Sequence, residues 1–198
     1  MEHYYSQSPQ TAHDISRISY SVKDIRLELM TDAGVFSKKK VDFGTDLLIR
    51  SLPPLDGRVL DLGCGYGVIG ISIAAMNPKV HVSMVDINER AVSLTRQNIE
   101  LNGLENAEAF QSNGFERVEG PFDAIVSNPP IRAGKKVIYP LFEESIRYLR
   151  SGGAIYLVIQ KKQGAKSAMK KLVSVYGDCE AIEKSGGYWI LRSIKASI

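Results

Sequence analysis

The residues best suited to chemistry are Ser127, Asn128, Pro129 and Pro130. Two consecutive prolines hold φ at about −65° and remove two N–H donors, so the loop is stiff and presents carbonyl acceptors. The Asn128 side-chain oxygen and the Pro129 carbonyl, held side by side, can accept both hydrogens of one planar exocyclic amine. In a guanine or adenine that nitrogen's lone pair is delocalised into the ring and attacks poorly. Holding both hydrogens favours a pyramidal nitrogen with its lone pair free for an electrophile, and alignment at near-attack distance supplies much of the remaining catalysis. The competing reading is a structural stop at the end of a strand.

A second constellation lies upstream, where Val59, Leu60 and Leu62 form an apolar strand that runs into a turn with glycines at 63, 65 and 67 and then into an apolar helix. Glycines let the backbone take φ > 0 and approach a ligand closely. The helix N-terminus beyond them points free N–H groups at whatever sits there. Two patterns overlap. Gly65, Gly67 and Gly70 match the GxGxxG dinucleotide fingerprint, with Asp86 near the position of its ribose-binding acid. Asp61, Gly63, Gly65 and Gly67 also form Asp-x-Gly-x-Gly-x-Gly, and an acid entering the turn suits a ligand bearing an ammonium and a sulfonium better than a pyrophosphate. That second pattern resembles the first motif of the class I methyltransferases, which bind S-adenosylmethionine.

The elements that must position these residues follow in order. Residues 18–22 and 25–29 alternate as a short strand pair. A turn-rich segment, 31–46, leads into a helix over 47–50, with Thr45 or Asp46 as its cap. A second core strand covers 80–85 and ends in Asp86, placed to receive two ribose hydroxyls. Asn88 caps a helix of about 14 residues. A third strand, 107–111, ends near Asn113, whose amide suits an adenine edge or a helix cap. The fourth, 122–127, delivers Asn128. Helical spacing over 137–149, a turn at 151–153, a strand at 154–159, a helix over 165–176 and a strand pair at 179–183 and 188–194 complete the chain. Five βα steps closed by a hairpin imply an α/β fold with a seven-stranded, mostly parallel sheet.

With 198 residues, 44% of them apolar, the chain has the size of a single domain spanning 1–198, residues 1–30 being an N-terminal extension. Its two cysteines, Cys64 and Cys179, belong to no Cys/His cluster. This argues against a metal site and for a reducing compartment. No window of about 18 apolar residues occurs, so the expectation is a cytoplasmic protein with no membrane partner. The net charge of +3 is unevenly spread: residues 1–126 hold 12 Lys/Arg against 17 Asp/Glu, residues 127–198 hold 13 against 5. A basic final third fits a polyanionic partner or solvated helix faces.

Asp61 to Gly67, Asp86 and Ser127 to Pro130, in that order and spacing, resemble the small-domain methyltransferases related to the bacterial 16S ribosomal RNA guanine-N2 methyltransferases. Residues 32–36, 41–45, 128–134 and 159–165 resemble a stand-alone bacterial and archaeal subgroup, and the likeness covers nearly the whole chain. It implies a three-layer, Rossmann-like class I fold, S-adenosylmethionine as cofactor and a guanine N2 in ribosomal RNA as substrate. By this resemblance Phe36, Asp61, Gly63, Cys64, Gly65, Gly67, Asp86, Ile87, Asn113, Gly114 and Asn128 bind the cofactor, and Asn128, Pro129 and Pro130 are catalytic. Ile131, Arg132, Lys135, Lys136, Lys161, Lys162 and Lys166 bind the substrate. Two residues depart from the family pattern. Ile131 stands where an aromatic often stacks on the base, and Asn113 where an acid is common. A protein glutamine-amide methyltransferase, a nicotinamide dehydrogenase and a non-catalytic module binding cofactor and RNA are the competing functions.

Overall fold

The computed structural model describes residues 14–32 and 40–197. After an antiparallel hairpin, β1 (Ser16–Val22) and β2 (Ile25–Thr31), come α1 (Phe43–Ser51), β3 (Arg58–Leu62), α2 (Val68–Met76), β4 (His81–Asp86), α3 (Glu89–Leu101), β5 (Ala107–Gln111), β6 (Phe122–Ser127), α4 (Lys135–Tyr148), β7 (Leu149–Gln160), α5 (Ala165–Tyr176), β8 (Glu180–Ser185) and β9 (Tyr188–Ile194); β5 leads into β6 without a helix, so four βα steps, not the expected five, precede the closing strand pair. Seven strands form one sheet in the order β5-β4-β3-β6-β7-β9-β8. β9 runs antiparallel to both of its neighbours; the other pairings are parallel.

The central strands are apolar on both faces, as a sheet covered on both sides requires. In β7, Tyr156 and Val158 join one core with helices α1, α2, α3 and the hairpin, while Ile155, Leu157 and Ile159 join another with α4 and α5. Helix α2 is apolar around its whole circumference, which matches its burial from Val68 to Ala74. Because β3 reverses the order of connection, crossing to β4 on one side and pairing with β6 on the other, the carboxyl ends of β3, β4 and β6 open onto a crevice where ligands bind in open α/β sheets.

Three further local expectations differ from the structure. Helix α1 begins at Phe43 rather than 47, because Asp42 and not Thr45 or Asp46 is the cap: Asp42 Oδ1 accepts the Thr45 N–H at 3.1 Å. The glycines at 152 and 153 do not end a helix and start a strand; β7 runs through them as a 12-residue strand, tied to the C-terminal segment by bonds between Gly152, Gly153 and Lys195. The helix that follows β6 starts at Lys135 and tolerates Pro140 within it.

Two asparagines fasten the hairpin to the main sheet layer. Asn98 and Asn102 lie four residues apart on α3, a rise of about 6 Å, close to the two-residue repeat of a strand. Their amides bond both backbone groups of Met30 and Glu28 at 2.6–3.1 Å, as a neighbouring strand would. Asn98, wholly buried, also donates to the Tyr66 carbonyl at 2.9 Å and so joins the hairpin to the glycine turn.

Candidate active site

The turn after β3 is set by backbone bonds. The Gly63 and Cys64 N–H groups donate to the Val85 carbonyl at 2.8 and 2.9 Å, and Gly67 N–H to the Cys64 carbonyl at 2.9 Å. Gly63, Gly65 and Gly67 have φ of 75°, 58° and 91°, in the left-handed region that favours glycine. At Gly67 a Cβ would sit 2.7 Å from the Thr95 side chain; at Gly63 and Gly65 it would meet only open space. That space belongs to a cavity of about 230 Å3, which the carboxyl ends of β3, β4, β5 and β6 surround.

Gly63, Cys64, Gly65, Asp86, Ile87, Asn113, Gly114, Asn128, Pro129 and Pro130 all line this cavity. Apolar walls come from Leu62, Ile69, Val85, Val137 and Leu141. Asp86, the last residue of β4, uses its carboxylate to brace the rim: Oδ2 accepts the Gly65 N–H and Oδ1 the Asn88 N–H, both at 2.8 Å. Each oxygen retains acceptor capacity for a ligand. Asn113 is exposed and bonds Glu116 through its Nδ2 at 2.8 Å.

Asp61 and Gly67 lie elsewhere than the cavity lining. Asp61 is fully buried beneath the turn, where Oδ2 accepts the Gly70 N–H at 2.9 Å and Oδ1 has no partner. Asp61 therefore braces the turn from below and does not line the cavity. Gly67 packs against Thr95 and begins α2. Phe36 lies outside the described residues.

Burial dominates the electrostatics. It pushes the Asp61 carboxyl up to about 7, with a further contribution from Asp86, while the Gly70 N–H opposes the shift. Burial also raises Asp86 against the pull of three backbone N–H bonds, and it holds the Cys64 thiol well above its usual range, with both acids adding to the effect. Cys64 is thus no thiolate nucleophile. A cationic ligand at this turn would favour ionisation of these two buried carboxyls, whereas a pyrophosphate would oppose it. Among the described residues no three His, Cys, Asp or Glu side chains gather as a metal site.

At the end of β6 the Ser127 hydroxyl donates to the Leu62 carbonyl at 2.6 Å, which locks the two strand ends together. The Asn128 Nδ2 donates to Thr45 Oγ1 at 2.9 Å. With its nitrogen so engaged, the amide has its oxygen left for a ligand. The Pro129 carbonyl already accepts the Ile131 N–H at 2.8 Å, so one of its lone pairs is used and one remains. Thr45 was not recognisable from sequence as more than a cap, because its partner stands 83 positions away.

Ile131, expected against the base, does not line the cavity. Bonds from Ile131 N–H to Pro129 and from Ala133 N–H to Pro130 wind 131–133 into a 3₁₀ turn, and Ile131 packs, partly buried, on the core beneath α4. Pro130, Val137 and Leu141 provide the apolar wall instead. Arg132, Lys135 and Lys136 follow β6, while Lys161, Lys162 and Lys166 follow its parallel neighbour β7. All six are exposed and outside the cavity.

A seven-stranded sheet with one reversed strand, an acid-braced glycine turn and an Asn-Pro-Pro loop on one crevice define an α/β domain with a ligand crevice at the carboxyl ends of its central strands. The chain belongs to the methyltransferase small-domain family, whose model matches residues 26–192. It is 43% identical over 98% of both chains to the uncharacterized protein YbxB of Bacillus subtilis. It is 33% identical, over 95% of its own length, to ribosomal RNA small subunit methyltransferase C of Salmonella paratyphi B, of which it covers 55%. The Thermus thermophilus 16S rRNA N2 G1207 methyltransferase, solved with AdoMet and guanosine, superposes with a TM-score of 0.83 at 26% identity, over 94% of this chain and 52% of that one. The chain thus spans about half the length of these ribosomal RNA methyltransferases.

Proposed function

We propose that this protein is an S-adenosylmethionine-dependent methyltransferase acting on an exocyclic amine, guanine N2 of ribosomal RNA. The observation that carries the reading is the sharing of one cavity by Asp86, the open space over Gly63 and Gly65, and Asn128 with its nitrogen held by Thr45. The Thermus relative, named for N2 methylation of 16S rRNA, supports the substrate class.

The residues fit the cofactor. Asp86 offers acceptors to two ribose hydroxyls, Gly63 and Gly65 leave room for close approach, and a cation there would favour ionisation of the two buried acids. When bound, S-adenosylmethionine supplies a methyl group on a positively charged sulfur. The chain's own part is positional. Asn128 Oδ1 and the remaining lone pair of Pro129 accept the two amine hydrogens, and these bonds strengthen as the nitrogen becomes pyramidal. Val137, Leu141 and Pro130 make that face of the cavity apolar. No side chain needs to act as a strong base before the proton departs to solvent.

The test is methyl transfer from labelled cofactor to total RNA of a strain lacking this gene, with the modified position mapped by mass spectrometry. N2-methylguanine at one position is the expected product. Label that appears only in protein, on a glutamine amide, overturns the substrate.

A further inference from the structure

Helix α5 and strand β9 enclose a second, shallow groove of about 390 Å3, lined by Lys166, Met169, Lys170, Val173 and Trp189. The helix residues recur at i, i+3, i+4 and i+7, so they form one stripe. It starts in the first turn of α5, shortly after Lys161 and Lys162 that follow β7, and runs about 10 Å along the helix. The floor is apolar, and Val173 is 43% exposed. Lys184 of β8 stands directly opposite Trp189 in the strand ladder, with its ammonium 4.3 Å from the ring centroid.

Charge narrows what this surface can receive. Residues 145–177 contain seven Lys or Arg and no Asp or Glu. Lys171 is tied to Glu143 of α4, whereas Lys166 and Lys170 have no ion pair among the described residues. An apolar partner would bury these ammonium groups without compensation. A chain of flat apolar groups joined by anions satisfies both the slot and its edges, and single-stranded nucleic acid has that chemistry.

We propose that this groove is a second RNA-binding subsite, which takes an unpaired nucleobase against Met169, Val173 and Trp189 while Lys166, Lys170 and Lys184 meet the flanking phosphates. It rests on the RNA reading of the active site. The subsite carries no side-chain acceptor that would select one base, so it holds single strands of any sequence.

Trp189 is the only tryptophan in the chain and reports the groove directly. The full-length protein is titrated with a short oligoadenylate while Trp189 fluorescence is followed. Saturable, salt-sensitive quenching is expected. Val173→Glu and Lys170→Glu, both at exposed positions, should each weaken oligoadenylate binding about tenfold while leaving the melting temperature and the affinity for S-adenosylhomocysteine unchanged. RNA methylation with no quenching, and with wild-type RNA affinity in both variants, overturns the groove and leaves the enzymatic reading standing. Quenching that both variants weaken, without any methyl transfer to RNA, supports the groove and removes the enzymatic reading. Quenching by polyglutamate as strong as that by oligoadenylate assigns the groove to an acidic protein segment and overturns the proposal.

Discussion

At the scale of single residues, the Asn128–Thr45 hydrogen bond decides which end of an amide faces a substrate. If Asn128 Oδ1 accepts a hydrogen mainly as the target nitrogen becomes pyramidal, Asn128→Ala should leave cofactor affinity intact and slow methyl transfer about 10²-fold or more. Thr45→Val removes the orienting hydroxyl 2.9 Å from Nδ2 and keeps the volume. It should slow transfer by roughly tenfold, with Thr45→Ser restoring most of the rate; single-turnover kinetics measure all three. A rate for Asn128→Ala within threefold of wild type returns the Asn-Pro-Pro loop to a structural role. Asp61 yields a prediction of a different kind. Its folded-state carboxyl is raised to about 7 by burial and by Asp86, so the folded protein holds a proton that the unfolded chain releases. The associated stability is therefore complete below the ordinary carboxylate range and is lost as pH rises through about 7. Asp61→Asn removes that dependence. Denaturant unfolding at pH 5 and pH 8 should show wild type losing roughly 1–4 kcal/mol more than the variant across the interval. Equal pH slopes for the two proteins would contradict the assignment.

At the scale of elements, the fold makes the glycine turn rigid from two sides. Asp86 at the end of β4 holds Gly65, and Asn98 on α3 holds the Tyr66 carbonyl while it grips β2 at Met30. The hairpin is thereby part of the site's support, although it contributes no strand to the main sheet. Asn98→Ala leaves two carbonyls and one N–H without their partner in a buried place. The expected cost is roughly 2–4 kcal/mol of stability, accompanied by faster hydrogen exchange at Met30, whose N–H donates to Asn98 Oδ1 at 2.6 Å. Protection at Met30 equal to that of wild type would mean that the hairpin is held by its apolar face alone, through Leu27 and Leu29.

At the scale of the whole molecule, charge and topology meet on one side. The basic residues after β6 and β7 stand at the carboxyl edge of the sheet, the same edge that carries the cavity. Binding of structured RNA should therefore weaken steeply with salt. Lys135→Gln and Lys161→Gln should each lower the slope of log K against log salt by about 0.7–0.9, the value of one lost phosphate contact; filter binding across a salt series reads it, and unchanged slopes would take both lysines off the RNA path. Much of this was legible in the residues themselves. Glycines that need positive φ, two prolines after an asparagine, an acid closing an apolar strand and the period of each element are local signals, and they sufficed for the turn, the Asn128 loop and most of the strands and helices along the chain, though not for the missing helix between β5 and β6. Tertiary structure decided what depends on distant partners. Asp61 and Gly67, though inside the motif, are turned away from the cavity by packing on α2 and α3, and a 3₁₀ turn withdraws Ile131 from the place where a base-covering residue was expected. Thr45, Asn98 and Ser127 acquire their roles from partners 83, 68 or 32, and 65 positions away. No local pattern encodes such a pairing, because it exists only after the sheet has brought the ends of its strands together.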